Sequence, residues 1–117
     1  MPQDFQPGDF LIFQLESGYG LLRVLGIEGD ENNPIWHLAA FRDLFLDVDM
    51  ADSALENPGS LTVDIPHVAL TNRAFESTQV AKMRNVPLTD EEIQRIEDPD
   101  AAPEVSDRSV RLMLGLR

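Results

Sequence analysis

The sequence predicts a mainly β fold, a small barrel with one α-helix in its C-terminal half. Three observations carry this reading. Short apolar runs recur between residues 9 and 71, separated by clusters of Gly, Pro, Asn and Ser. Gly20 and Gly26 fall inside one of those runs, where glycine marks sharp coiling or close backbone approach, and a strongly bent hairpin is what a small barrel needs. Only one stretch, beginning at Thr89, has a complete helix start signal.

Asp9–Leu15 reads as the first strand, opened by Pro7-Gly8 because neither residue suits a strand interior. Ser17-Gly18 supplies the turn, with Gly18 free to take a positive φ. Tyr19–Glu28 is the return strand, and Gly29–Asn33 is a loop. Pro34 leads into a third strand, Ile35–Phe41. Arg42–Met50 alternates: Leu44, Leu46, Val48 and Met50 share one face, and Asp43, Phe45, Asp47 and Asp49 share the other. The expected orientation puts the aliphatic face inward. Asn57-Pro58-Gly59 fits a type II turn with Gly59 at positive φ. Leu61–Ile65, Val68–Thr71 and Val80–Met83 are further short strands.

The helix begins with Thr89 as N-cap and Glu92 as its reciprocal partner in a capping box. Leu88 and Ile93 stand at hydrophobic-staple positions, and Asp90, Glu91 and Glu92 lie at the positive end of the dipole. Pro99 closes the helix, and Asp98–Asp107 is an acidic loop. Val110, Leu112, Leu114 and Leu116 alternate as a last strand, although Val110, Met113 and Leu114 also fit a helix. Residues 73–83 and 109–116 therefore stay open between strand and helix. The 117 residues make one domain, a barrel over 5–71 with a helix-containing extension over 72–117. A chain of this length buries roughly 65% of its unfolded surface and needs no staples.

Charge narrows the function classes. The net charge is −12, and residues 1–70 hold twelve acids against two bases. Such a field repels phosphate backbones and anionic lipids and attracts basic partners, though acidity also serves solubility. No nucleic-acid or membrane partner is expected. Cysteine is absent, which excludes disulfides and thiolate metal sites and is compatible with a reducing compartment. The first residues lack a signal peptide, and no apolar run reaches the ~18 residues of a bilayer span. The expected location is the cytoplasm.

No constellation for catalysis emerges. His37 and His67 are far apart in sequence, and a structural role is expected for each. Gly18-Tyr19-Gly20 has only half of a dinucleotide fingerprint and no following helix. Asp47–Asp52 resembles the start of a calcium loop but lacks its central Gly and distal Glu. No catalytic residue, cofactor or metal site is assigned. The expected partner-binding face is Asp43, Phe45, Asp47 and Asp49, an exposed aromatic within a row of carboxylates. The alternative is that Phe45 lies under the Asn57 turn or the C-terminal segment.

Two stretches resemble a known family. Pro7–Gly26, through Gly8, Asp9, Gly18, Tyr19, Gly20, Arg23 and Val24, is similar to the opening of the immunity protein 26 family, and Pro87–Ile93 is similar to the Pro-Leu-x-Glu-Glu segment of related proteins. The middle of the chain has no counterpart in the resemblance. It implies an SH3-like barrel, no catalytic residues, and a bacterial toxin–antitoxin setting in which a cytosolic immunity protein blocks its cognate toxin. Other SH3-like barrels also open with a Pro-Gly-Asp strand, but those contacting nucleic acid usually carry basic faces. The function expected is a non-enzymatic acidic protein that binds a basic toxin. The runner-up is a barrel that scaffolds or regulates a complex, with self-association one route. A small hydrolase or metal-dependent enzyme is a third class. The oligomeric state is left open.

Overall fold

Six strands form one sheet in the order β5-β1-β2-β3-β4-β6, in a computed structural model that describes residues 5–16, 18–30, 32–98 and 103–110. The strands are β1 (Asp9–Leu15), β2 (Gly18–Glu28), β3 (Ile35–Phe45), β4 (Val63–Thr71), β5 (Val80–Asn85) and β6 (Val105–Ser106). Three short helices join them: α1 (Val48–Ala54), α2 (Asn72–Glu76) and α3 (Asp90–Glu97). The mainly β class is the one the sequence predicts. All neighbours pair antiparallel except β4 and β6, which are parallel.

Both faces of the inner strands are covered. Leu11, Phe13 and Leu15 join Leu22, Val24, Trp36, Leu38 and Leu70 in the larger core, which α2 closes with Ala74 and Phe75. Phe10 and Ile12 face the other way, with Leu21 and Phe41, under Ala51 and Leu55. This two-sided burial is why β1 reads as a near-continuous apolar run. Gly18 has the expected positive φ, and a Cβ there would run into the Phe45 carbonyl oxygen. Gly20 shows the expected close approach: the Phe13 ring lies where its Cβ would be, 2.7 Å away. Ser17 and Pro99 lie outside the described residues, as does the C-terminal segment beyond Val110, which is itself buried.

Several expectations change. The strand expected to run to Met50 ends at Phe45; Asp47 then caps α1, its carboxylate accepting from the Met50 amide at 2.8 Å. Ala51 and Leu55, four residues apart, are both buried on one side of this segment, and that helical spacing outweighs the shorter alternation. Pro58–Ser60 is a single 3-10 turn, and Gly59 has no positive φ. The two expected strands around Pro66 are one strand, β4. It tolerates the proline because Pro66 and His67 together oppose the single Ala39 of β3, a bulge between the Leu38–Val68 and Ala40–Ile65 pairs. Of the stretch left open, residues 73–76 belong to α2 (Asn72–Glu76), capped by the Thr71 hydroxyl. Residues 80–85 are β5, which pairs along β1.

The capping box at α3 forms as read. Thr89 Oγ1 accepts from the Glu92 amide at 3.2 Å, and Glu92 Oε1 accepts from the Thr89 amide at 3.0 Å. Thr89→Ala is expected to lose about 1 kcal/mol, seen as a lower urea midpoint at unchanged slope. An unchanged midpoint would mean that the cap contributes nothing.

Candidate docking surface

The four residues expected to form one outward face are not presented together. Asp43 and Phe45 are half-buried on β3, and the Asp43 carboxylate accepts from the Thr62 amide at 2.6 Å. Phe45 leans on the second core, beside Tyr19, its partner across the β2–β3 ladder. Asp47 is occupied as a helix cap, while Asp49 is exposed in the first turn of α1. The expected orientation of this stretch is therefore inverted. Alternation identifies residues that share a face; it does not say which face is covered. Here α1 folds back over the Phe45 side, and Leu44 and Leu46 are left in solvent.

The chain from Leu44 to Met50 carries most of the exposed large apolar side chains among the described residues. Leu44, Leu46, Val48 and Met50 are 54, 77, 44 and 49% exposed, and they make up four of the seven exposed large hydrophobics among the described residues. Leu44 sits opposite Gly20, which in turn pairs with Phe13, so it prolongs the row Phe13–Gly20–Leu44 beyond the covered core. Val48 and Met50 stand on the first turn of α1. Asp43, Asp47, Asp49 and Asp52 interleave with these residues in the chain, and only Arg42 brings a positive charge to the 42–52 stretch. The Arg42 guanidinium faces Asp64 at 3.6 Å, and Asp52 accepts from Arg84 at 2.9 Å.

A second feature is the groove of about 390 Å³ between the sheet and α3, floored by Phe10, Phe41, Leu61 and Val63 and flanked by Arg23 and Arg95. Arg23 is not free to act on a ligand there. Its Nε and Nη2 donate to the two Glu92 oxygens at 2.9 and 3.0 Å, Nη1 to the Gly8 carbonyl at 2.6 Å, and Nη2 also to the Pro87 carbonyl at 3.1 Å. Its guanidinium carbon lies 4.4 Å from the centre of the Phe10 ring. Gly8 is fixed by the same hub. Its φ is +95°, and a Cβ would stand 2.8 Å from the Val86 carbonyl oxygen. Asp9, fully buried, accepts from the Gln6 amide and the Asn85 side chain, both at 2.9 Å, with Lys82 at 3.6 Å. The residues that carried the resemblance at both ends, Gly8, Asp9, Arg23 and Glu92, thus hold the fold together.

The histidines are not separate. His37 Nδ1 and His67 Nε2 stand 2.8 Å apart, and His37 Nε2 is 3.0 Å from Glu28 Oε1. Sequence spacing gave no signal for this contact; the β3–β4 ladder and its bulge create it. Among the described residues no group of three or more His, Asp or Glu is arranged to hold a metal ion, and no helix is long and apolar enough to cross a membrane. Comparison of the chain with family models, curated proteins and solved structures finds no match.

Proposed function

We propose that this chain is a non-enzymatic binding protein of the bacterial cytoplasm whose Leu44–Met50 stretch docks a basic protein, as an immunity protein docks the toxin it neutralises. The observation that supports this reading is the run of exposed apolar side chains set among carboxylates. Leu46 would enter a pocket of the partner and supply desolvated contact area. The surrounding acids would speed and orient encounter with a basic surface. The −12 charge repels a second copy and so favours a basic occupant over self-association.

The test uses a basic toxin encoded beside this protein, with inhibition and binding kinetics as readouts. Leu46→Asp is expected to weaken binding by about 2–3 kcal/mol, mainly through the off-rate and with an unchanged melting temperature. Asp49→Asn should slow association at low salt only, because screening already weakens steering at high salt. Wild-type kinetics for Leu46→Asp would remove this surface from the interface. Light scattering separates the scaffold alternative: a dimer that Leu46→Asp dissociates would assign the stretch to a second copy.

A further inference from the structure

We propose that the basic partner docks as an extended segment that pairs with the open end of β3, adding a strand to the sheet beside Leu44. This rests on the docking reading and names the form the partner takes there. The two ladders of β3 differ in length. On one flank the pairing with β2 runs to the Tyr19–Phe45 pair; on the other the pairing with β4 stops at the Phe41–Val63 pair. The chain enters β4 from the Pro58–Ser60 turn, and Leu61 leans on the second core instead of prolonging the strand. Residues 42–45 thus have one flank without a ladder, about 13 Å of strand at about 3.3 Å per residue.

The Arg42 amide marks which peptide groups face that flank: it donates to the Thr62 carbonyl at 2.8 Å. Thr62 does not return the bond, because its own amide donates to the Asp43 carboxylate at 2.6 Å. Peptide groups along a strand point to alternate flanks, and burial alternates without a break over residues 41–45. The N–H and C=O of Leu44 therefore point the same way as those of Arg42, and no described residue pairs with them there. An added strand meets the Arg42 carbonyl and both main-chain groups of Leu44 in a row.

The other open edges are guarded. β5 carries Lys82 and Arg84 and bulges at Met83; β4 carries Pro66, which has no N–H to offer, and is covered at Ala69 and Leu70 by β6. The β3 end has neither lysine nor proline. Leu44 is 54% exposed there, and Leu46, one residue past the strand, 77%. Asp43 and Asp47 each commit one carboxylate oxygen within the chain, to the Thr62 and Met50 amides, and keep further lone pairs for a cation. These carboxylates repel an acidic edge, a second copy of net charge −12 included, and attract a basic one. A segment that alternates apolar and basic residues sets the former along Leu44 and Leu46 and the latter toward the acids, while main-chain bonds fix its register.

Amide exchange of the free protein checks the open flank. The Leu44 amide should exchange about tenfold faster than that of Phe45, which points into the β2 ladder; equal protection of the two would overturn the proposal. The probe is a capped hexapeptide alternating Lys and Val, with the same residues arranged in blocks and an alternating Glu–Val peptide as controls. In excess, the alternating Lys–Val peptide should slow exchange at Leu44 by about a further tenfold, and the controls should not. Chemical-shift changes around Leu46 with unchanged exchange at Leu44 would overturn strand pairing and leave the docking surface standing. No shift there with the Lys–Val peptide, or equal slowing by the block peptide, would likewise overturn strand pairing. The docking surface itself is judged separately by the toxin kinetics of Leu46→Asp: wild-type kinetics would remove the surface, and strand pairing with it.

Discussion

Arg23→Met is expected to destabilise the protein by about 3–5 kcal/mol. The side chain is 2% exposed and ties β2 to both the β1 opening and α3 through Gly8, Pro87 and Glu92. Met fills much of the volume but strips Arg23 from the Glu92 carboxylate and leaves the Pro87 carbonyl short of a donor, while the Gly8 carbonyl keeps only the Val86 amide; removing one partner of a buried pair is the costly way to break it. Arg23→Met combined with Glu92→Leu should recover part of the loss, because the orphaned charge goes too. The pH dependence gives a second readout. Glu92 is held below its ordinary 4.5, so its contribution is complete above that pH and is lost as pH falls through the folded value. Arg23→Met should remove that acid-side slope. An unfolding free energy within about 1 kcal/mol of wild type would show that Arg23 is not the hub described.

Phe75→Ala is expected to cost about 3–5 kcal/mol. Phe75 is fully buried and stacks on Trp36 with centroids 4.2 Å apart and planes 18° from parallel. Phe5 meets both rings edge-on, at 6.1 and 6.3 Å. Trp36 is also held by its indole N–H, which donates to Asn72 Oδ1 at 2.9 Å, so it cannot simply swing into the vacated space. The cavity therefore persists and its full cost is felt. Near-ultraviolet dichroism should lose the signal of the stacked pair along with stability. A loss below about 1 kcal/mol would mean that α2 collapses onto the sheet without the ring.

Local chemistry was legible in the sequence where it is self-contained. The Thr89–Glu92 box needs only residues within one turn, and the hairpin glycines act on their immediate neighbours, so both were readable. Side-chain direction after Phe41 was not. The even and odd positions of β3 are each apolar somewhere, since Leu38 and Ala40 face one core and Phe41 and Phe45 the other. Only the path of α1 decides which face stays wet. The local signal for α1 is Asp47 as a cap ahead of Ala51 and Leu55, which stand four residues apart. Arg23–Glu92 and His37–His67 span 69 and 30 residues and depend on strand register, which no local pattern encodes.

The order of strands in the sheet also sets a timetable for synthesis. The four inner strands come from residues 9–71, whereas the outer two, β5 beside β1 and β6 beside β4, come from residues 80–106. A nascent chain therefore presents a four-stranded meander with both flanks unpaired before either cover strand has been made. At about 5–20 residues per second, the ribosome needs roughly 2–7 s to extend the chain from the end of β4 to β6. For that interval the N–H and C=O rows of β1 and β4 are open to other chains, and the pairings that close them are the slow, non-local kind.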